Sequence, residues 1–532
     1  MRATGNTMRG SQRGVVLALI VIALSAALGG IYGARVEATV AGDSELQEAL
    51  AAFTKVYAII EQNYADPIDP ERAIFQGAIP GMLRVLDPHS TFFDPRAFRI
   101  LQEDQQGHYY GVGMQVAPRD NRTIVLAPFV GSPAYKAGLR PGDVIVQVDD
   151  TPTEGMTTSE VADRLKGPKG TVVRVRVMRE GHGEPLEFVI TRDEIPRVSV
   201  EHAFEIRPGV AYVRVANFNE TTQEELQKAL NQFELHTLRG LILDLRGNPG
   251  GLLNQGVAVA DMFLAKNQLI VSHRGRTQRD RRYYATRGNN GIEFPLVILI
   301  DRWSASASEI VAGALQDHDR ALVVGETSFG KALVQSVYPL SQETGLALTT
   351  AKYYTPSGRL IQRDFKALTL YSYFNRSDRR ENNNQGQTYT TDSGRVVYGG
   401  GGITPDMVIP YPILNRFQSV LLRRHDAFFN FAKHFLADRD TVPRDFVVDE
   451  YVLNRFRRFL DQNSVRFTEA DIQENREWLE RQIKRHIFNS VFGTPDGFRV
   501  ELEGDVHVRK AIELLPRAAE LAAAARRVTA RR

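Results

Sequence analysis

The 532 residues contain no cysteine. Disulfides, thiol catalysis and zinc–thiolate sites are therefore excluded. A charge imbalance is missing too. The 66 basic residues stand against 63 acidic ones, so there is no global electrostatic case for a nucleic-acid partner. The 11 histidines never fall in HExxH or another ligand spacing, and no metal or other cofactor is expected. Long apolar runs are lacking apart from one, Val15 to Tyr32, which follows Arg2, Arg9 and Arg13. That run is just long enough to span a bilayer and slightly long for the core of a signal peptide. An uncleaved anchor is the favoured reading, and a cleaved signal ending near Val36-Glu-Ala38 is the alternative. Either one puts the rest of the chain outside the cytoplasm, on the periplasmic side.

The remaining chain divides by pattern. A basic segment, 1–14, and the apolar segment, 15–32, precede a helical domain over 43–103. There Leu46, Leu50, Phe53, Val56, Tyr57 and Ile60 recur at three- and four-residue spacing, as packing or dimerisation requires. Asp87-Pro-His-Ser-Thr-Phe-Phe-Asp-Pro95 breaks that pattern, and His89 reads as structural. Residues 104–193 change to short strands. Gly170 to Arg179 alternates at period two, as a half-buried strand should. The unit over Gly131 to Val146, with its Gly-Leu-Arg-Pro-Gly-Asp hairpin, resembles a PDZ domain of the bacterial circularly permuted type. Amides around Gly111, Val112 and Gly113 can form a nest for a carboxylate. Tyr110, Gly111, Val112, Gly113 and Met114 are thus the candidate peptide-binding residues, with an open strand edge after them for β-augmentation.

Residues 194–412 alternate strands with helices, which argues for an α/β core on a mainly parallel sheet. Functional groups should lie at the C-terminal ends of its strands. Pro295-Leu-Val-Ile-Leu-Ile-Asp301 is a strand buried on both faces, followed by Ser304-Ala-Ser306-Ala-Ser308-Glu309 and a helix starting near Ser306. Ser306 and Glu309 also fit a capping box. The two readings are compatible, because a helix N-terminus favours an alkoxide or oxyanion. The second buried strand, Arg320 to Gly325, leads to Lys331 and Gln335, four residues apart. A polar insertion, 364–398, reads as a surface loop, and 413–532 as a helical extension without nameable chemistry. Aromatic and basic faces there suit self-association or partner docking.

A serine nucleophile needs a base. No Gly-x-Ser-x-Gly elbow occurs, and His318 precedes a strand in an exposed setting. Lys331 is the better base if desolvated, since burial disfavours the ammonium. It can then accept the Ser306 Oγ proton and return it to a leaving amine. Gln335 can orient Lys331 without recharging it. Asp244-Leu-Arg-Gly-Asn-Pro-Gly250-Gly251 ends another buried strand. Its glycine pair either lets amides approach a substrate oxygen or makes a tight helix-entry turn.

Ser-Ala-Ser-Ala-Ser-Glu, Gly-Lys-x-x-x-Gln, Asp-Leu-Arg-x-Asn-Pro-Gly-Gly, Tyr-Tyr-Thr-Pro-Ser-Gly-Arg359 and Leu-Asp-Pro-His-Ser-Thr resemble the carboxyl-terminal processing (tail-specific) protease family. The likeness runs over residues 45 to 410 with motif order intact, apart from the insertion. It implies a ClpP/crotonase-like endopeptidase with Ser306 as nucleophile, Lys331 as base and Gln335 as orienting group. Ala307, Gly250 and Gly251 amides would bind the oxyanion, with the donating glycine left open. Expected partners are proteins with apolar C-termini, an adaptor or activator protein, the membrane through the N-terminal segment, and further copies of the chain.

Two rivals are weighed. Ser328-Phe-Gly-Lys331 matches Ser-x-x-Lys, but Gly330 weakens the helical turn it needs and the companion motifs are absent. A catalytically silent PDZ scaffold or chaperone of the cell envelope is opposed by the intact Ser306, Lys331 and Gln335.

Overall fold

The structure, a computed structural model, describes residues 44–529 apart from 278–279, 292, 367–368, 376–386, 424–425, 438 and 440. The apolar segment 15–32 and its anchor reading lie outside the described residues. Among the described residues no helix is long and apolar enough to cross a membrane.

Two compact units divide the chain, the first ending at Gly77 and the second running from Ala78. The first holds the helix Ser44–Asn63, and none of that helix's residues is buried. Its apolar stripe is regular, yet Leu50, Phe53 and Val56 all remain about half exposed.

The second unit is built on a six-stranded sheet. Val200–Arg207 pairs antiparallel with Val210–Val215, and Gly240–Asp244, Leu296–Ile300, Leu322–Gly325 and Met407–Val408 follow in parallel. Every residue of Leu296–Ile300 is buried, so the sheet is covered on both faces, as the unbroken apolar run predicts. Leu241, Leu243, Ile298 and Ile300 face the helices Thr222–Leu230, Leu253–Asp261 and Ala307–Asp317. Ile242, Val297, Leu299 and Val324 face Val508, Ala511, Leu515 and Ala518 of the helix Val506–Thr529. Each such aliphatic side chain contributes about 1.5–3 kcal/mol by leaving water.

That last contact corrects the expectation for the tail. Its final helix is the second cover of the core sheet, not a spare surface. The approach is close: a Cβ on Gly240 would lie 2.4 Å from Leu515 Cδ2. The earlier tail helices gather a second, phenylalanine-rich core around Phe428, Phe431, Phe435, Phe456 and Phe459.

A second sheet flanks the first. Gly345–Tyr354 pairs antiparallel with Thr91–Phe93, Leu333–Pro339 and Leu269–Gly275. The PDZ-like unit forms a separate antiparallel sheet in which Met114–Arg119 is an edge strand. The helix Thr158–Leu165 starts with a full capping box, Thr157 and Glu160, and buries Val161 and Leu165 against that sheet. Arg119, at the far end of the edge strand, pairs with Asp426 at 2.6 Å and lies over the Phe429 ring, which fixes the tail helices to this unit.

The described residues of the insertion carry regular structure that its polar composition does not predict. It holds a short helix, Leu370–Asn375, and a hairpin, Thr388–Thr390 with Val396–Tyr398. Arg395 inside it binds Asp319 at 2.6 Å and Asp406 at 2.5 Å. His318, expected to be exposed, is half-buried and bound by Asp392 at 2.8 Å and the Leu269 carbonyl at 2.7 Å.

Candidate active site

Two loops at the C-terminal ends of adjacent parallel strands are stitched together. Asp301 Oδ1 accepts from the amides of Trp303 (3.0 Å), Ser304 (3.0 Å) and, across the gap, Gly247 (2.9 Å). Ser304 Oγ donates to the Leu245 carbonyl at 2.8 Å. The Asn248 carbonyl receives both the Ala305 amide and Ser308 Oγ at 3.0 Å. Behind them Arg246 is buried and held by Asp244 at 2.6 Å and by Asp505, from the tail, at 2.8 Å. Burial works against the Asp244 carboxylate, but Arg246 and Arg214 outweigh it and hold the group down to about 2.

These ties press the glycine pair against Ser306. A Cβ on Gly250 would meet the Ala305 carbonyl oxygen at 2.6 Å, Ser306 Cβ at 2.7 Å and the Ala307 nitrogen at 2.9 Å. Only glycine fits there, and its φ of +96° asks for glycine too. The Gly250 amide is taken, since it donates to Asn248 Oδ1 at 2.8 Å. The Gly251 amide finds no acceptor among the described residues. Ala307 is the first residue of its helix, where an amide has no intrahelical acceptor. Ser306 stands just before it at φ +54°, ψ −113°, a conformation that costs about 1–3 kcal/mol in an ordinary residue.

Two side chains bridge Ser306 to Lys331. Glu309 Oε2 accepts the amides of Ser306 (2.8 Å) and Lys331 (2.9 Å). Its Oε1 accepts from Ser328 Oγ (2.5 Å) and the Gly330 amide (2.7 Å). Burial pushes the Glu309 carboxyl up, and these four donors pull it back. The Tyr353 hydroxyl lies 3.1 Å from the Ser306 carbonyl oxygen and 2.7 Å from that of Lys331. The expected capping box of Ser306 and Glu309 is present, with the Ser306 amide donating to the Glu309 carboxylate, but that carboxylate also reaches well beyond its own helix. Residues 326–332 form a loop, so the helical turn that a Ser328-x-x-Lys331 pairing needs is not there.

Lys331 is half-buried, and desolvation lowers its ammonium from the usual range against the opposing pull of Glu309 and Asp87. Its Nζ donates to Gln335 Oε1 at 2.9 Å. A register shift between Val334 and Gln335 in the strand Leu333–Pro339 sets the glutamine's aim. Gln335 Nε2 donates in turn to the His89 carbonyl at 2.6 Å. The segment read as a pattern breaker is thus part of the site. Asp87 Oδ1 accepts the His89 and Ser90 amides at 2.7 and 2.8 Å and holds that carbonyl in place. Glu309, Tyr353 and Asp87 all stand in the motifs that resemble the protease family, and this is the sequence signal of their part in the site.

The five peptide-binding candidates separate. Tyr110 and Gly111 end the strand His108–Gly111 and pair with Glu194 and Asp193. The loop proper is Val112 and Gly113, whose carbonyls accept the Ala134 (2.8 Å) and Phe129 (3.0 Å) amides. Their own amides find no acceptor among the described residues, and Met114 begins the open edge strand. Gly113 has φ +76°, and a Cβ there would sit 2.6 Å from Ser132 Cβ. Among the described residues no cluster of carboxylates and histidines is arranged to hold a metal ion.

Comparison with known proteins gives three matching profiles: Peptidase family S41 over residues 209–369, PDZ domain over 124–179, and Activating protease CtpB N-terminal domain over 31–97. The chain is 40% identical over 329 residues to a carboxy-terminal-processing protease of Bartonella bacilliformis, covering 61% of this chain and 75% of that protein. It is 35% identical over 333 residues to carboxy-terminal processing protease CtpB of Bacillus subtilis, covering 62% and 69%. A solved photosystem II D1 C-terminal processing protease aligns at 33% identity over 60% of this chain and 90% of that one, with a TM-score of 0.33. The chain belongs to the carboxy-terminal processing protease family and is a serine-type peptidase with a PDZ domain.

Proposed function

We propose that the chain cuts proteins near an apolar C-terminus by a Ser306–Lys331 dyad through an acyl-enzyme. Lys331 Nζ, neutral when it acts, takes the Ser306 Oγ proton as the oxygen bonds to the scissile carbonyl carbon. The tetrahedral oxyanion is received by the amides of Ala307 and Gly251. Collapse breaks the C–N bond, and Lys331 gives its proton to the leaving amine. Water then repeats the cycle with Lys331 as base and frees the new C-terminus and Ser306. Gln335, a neutral amide, orients Lys331 without restoring the ammonium.

The observation that carries this reading is the double bridge. One carboxylate accepts both the Ser306 and the Lys331 amide, and one phenol lies between their carbonyls with its single proton nearer to Lys331, residues from different strand ends. Gly251 is preferred over Gly250 because the latter's amide is already engaged. Substrate selection is assigned to the Val112–Gly113 amides, which take the terminal carboxylate, and to the edge strand Met114–Arg119, to which the tail adds. Substrates are placed outside the cytoplasm on the strength of the apolar run behind Arg13.

The test uses residues 43–532 and an unstructured protein ending in apolar residues, with fragments mapped by mass spectrometry. Lys331→Ala abolishes cleavage while peptide affinity stays within about twofold. Cleavage at the wild-type rate in that variant refutes the dyad. Binding without cleavage by the unmodified protein, alone and with envelope extract, would favour the scaffold.

A further inference from the structure

We propose that Tyr373, carried by the insertion helix Leu370–Asn375, is a positioning residue for the base and acts on Lys331 through His89 and Gln335. The inference rests on the reading of Lys331 as base.

Gln335 is useful only in one orientation. With Oε1 toward Lys331 Nζ it accepts from the amine. Flipped, it would set an NH2 group against the ammonium or donate to the lone pair that the neutral amine needs as base. The orientation is held from the other end, where Nε2 donates to the His89 carbonyl at 2.6 Å. That carbonyl is therefore the fixed point of the base, and His89 is gripped twice. Asp87 holds its amide at 2.7 Å, and the Tyr373 hydroxyl meets its ring Nε2 at 2.8 Å.

The direction of the second bond follows from its neighbours. Gln362 Oε1 accepts the Ala332 amide at 2.9 Å, which turns its NH2 toward Tyr373, 3.3 Å from the hydroxyl oxygen. The phenol oxygen thus accepts a hydrogen bond from Gln362 and keeps its own O–H to donate to His89 Nε2, with the imidazole in its Nδ1–H tautomer. A neutral imidazole is required for that. Burial and the charge of Lys331 hold His89 down to about 4, so it is neutral at neutral pH.

Tyr373 is placed to be rigid. It is fully buried, edge-on to His89 (centroids 5.5 Å apart) and to Phe329 (5.4 Å). The Arg363 guanidinium lies 4.6 Å from its ring centre. Its apolar cluster includes Ala305, the residue before Ser306. The polar insertion thereby brings Tyr373 into the site, with Phe365 and Phe374 packed against its ring, and closes a path of hydrogen bonds that ends on Lys331 Nζ.

A double-mutant cycle on the full chain tests this, with kcat, KM and Tm measured for each variant. Tyr373→Phe keeps the ring and removes the hydroxyl. It lowers kcat about 5- to 10-fold, the scale of one lost buried hydrogen bond, and leaves KM within about twofold. In a Gln335→Ala background the same change lowers kcat by less than about 1.5-fold, because the link it acts through is gone. A purely structural tyrosine would lower kcat equally in both backgrounds, and that result overturns the proposal. So does an unchanged kcat in Tyr373→Phe when Gln335→Ala is impaired. If Gln335→Ala itself keeps full kcat, the assignment of the base's partner fails and this inference fails with it. Conservative rescue gives a second reading: His89→Gln, whose side-chain carbonyl can accept the phenol proton, retains several-fold more kcat than His89→Leu, and equal values in the two refute the bond's role.

Discussion

Glu309→Gln isolates the carboxylate that bridges the two reactive residues. Four donors converge on Glu309: the Ser306 and Lys331 amides on one oxygen, Ser328 Oγ and the Gly330 amide on the other. A glutamine offers one acceptor. Its better orientation keeps the oxygen toward Ser306 and Lys331 and turns NH2 toward Ser328 and Gly330. Ser328 Oγ, which also accepts the Ile403 amide at 2.6 Å, then loses the acceptor for its own proton, and Gly330 loses its partner. Each orphaned buried donor costs about 1–3 kcal/mol. Burying a neutral amide in place of a carboxyl that burial already disfavours offsets part of this. A net loss of about 2–4 kcal/mol follows, read as a fall in Tm of roughly 2–4 °C for a unit of this size. The bridge to Ser306 and Lys331 survives in this orientation, so kcat falls by about tenfold or less. Glu309→Ala removes the bridge as well and lowers kcat at least about 100-fold. Differential scanning calorimetry and peptide turnover measure both quantities. Wild-type Tm and kcat in Glu309→Ala would refute the claim that this carboxylate aligns the site.

Three further outcomes follow from the geometry. Gly250→Ala sets a Cβ within 2.9 Å of three atoms around Ser306 and forces alanine to φ +96°, so turnover is lost while PDZ binding of a free peptide is kept; turnover near wild type contradicts the close approach. The active form of Lys331 is unprotonated and desolvation lowers its pKa, so kcat/KM rises with pH along a limb whose midpoint lies below 10.5, and a limb centred at or above 10.5 would count against a desolvated base. Amidating the C-terminus of an apolar peptide weakens its binding at least about tenfold in fluorescence anisotropy, and equal affinity for acid and amide would remove the Val112–Gly113 amides from the argument.

Much of the core was legible because it obeys local rules. Leu296–Ile300 is apolar at every position, and only a strand covered on both faces needs that. In the PDZ-like unit the strand Val172–Met178 alternates buried and exposed at period two. Ser306 and Lys331 are small-residue and loop positions at strand ends, where chemistry is expected. What stayed hidden is what joins distant parts of the chain. The Gln335 bond to His89 spans 246 residues, and no periodicity reports it. The final helix reads as an extension without nameable chemistry, yet it covers the sheet, and the missing side chain of Gly240 is what admits Leu515 so closely. The insertion reads as a solvated loop because its polar residues outnumber the few aromatic ones, Tyr373 among them, that pack at the site. Glu309 was legible as a cap and hidden as a bridge, since the loop it holds lies two elements further on.

The most direct test of the central claim is covalent. A fluorophosphonate or an activated peptide ester is added to the wild type, Ser306→Ala and Lys331→Ala, and the intact masses and labelling rates are followed. The account predicts one adduct, mapped to Ser306, forming at least about 100-fold more slowly in Lys331→Ala and rising with pH in the wild type. An adduct on another residue, or labelling of Ser306 at the same rate without Lys331, would contradict it.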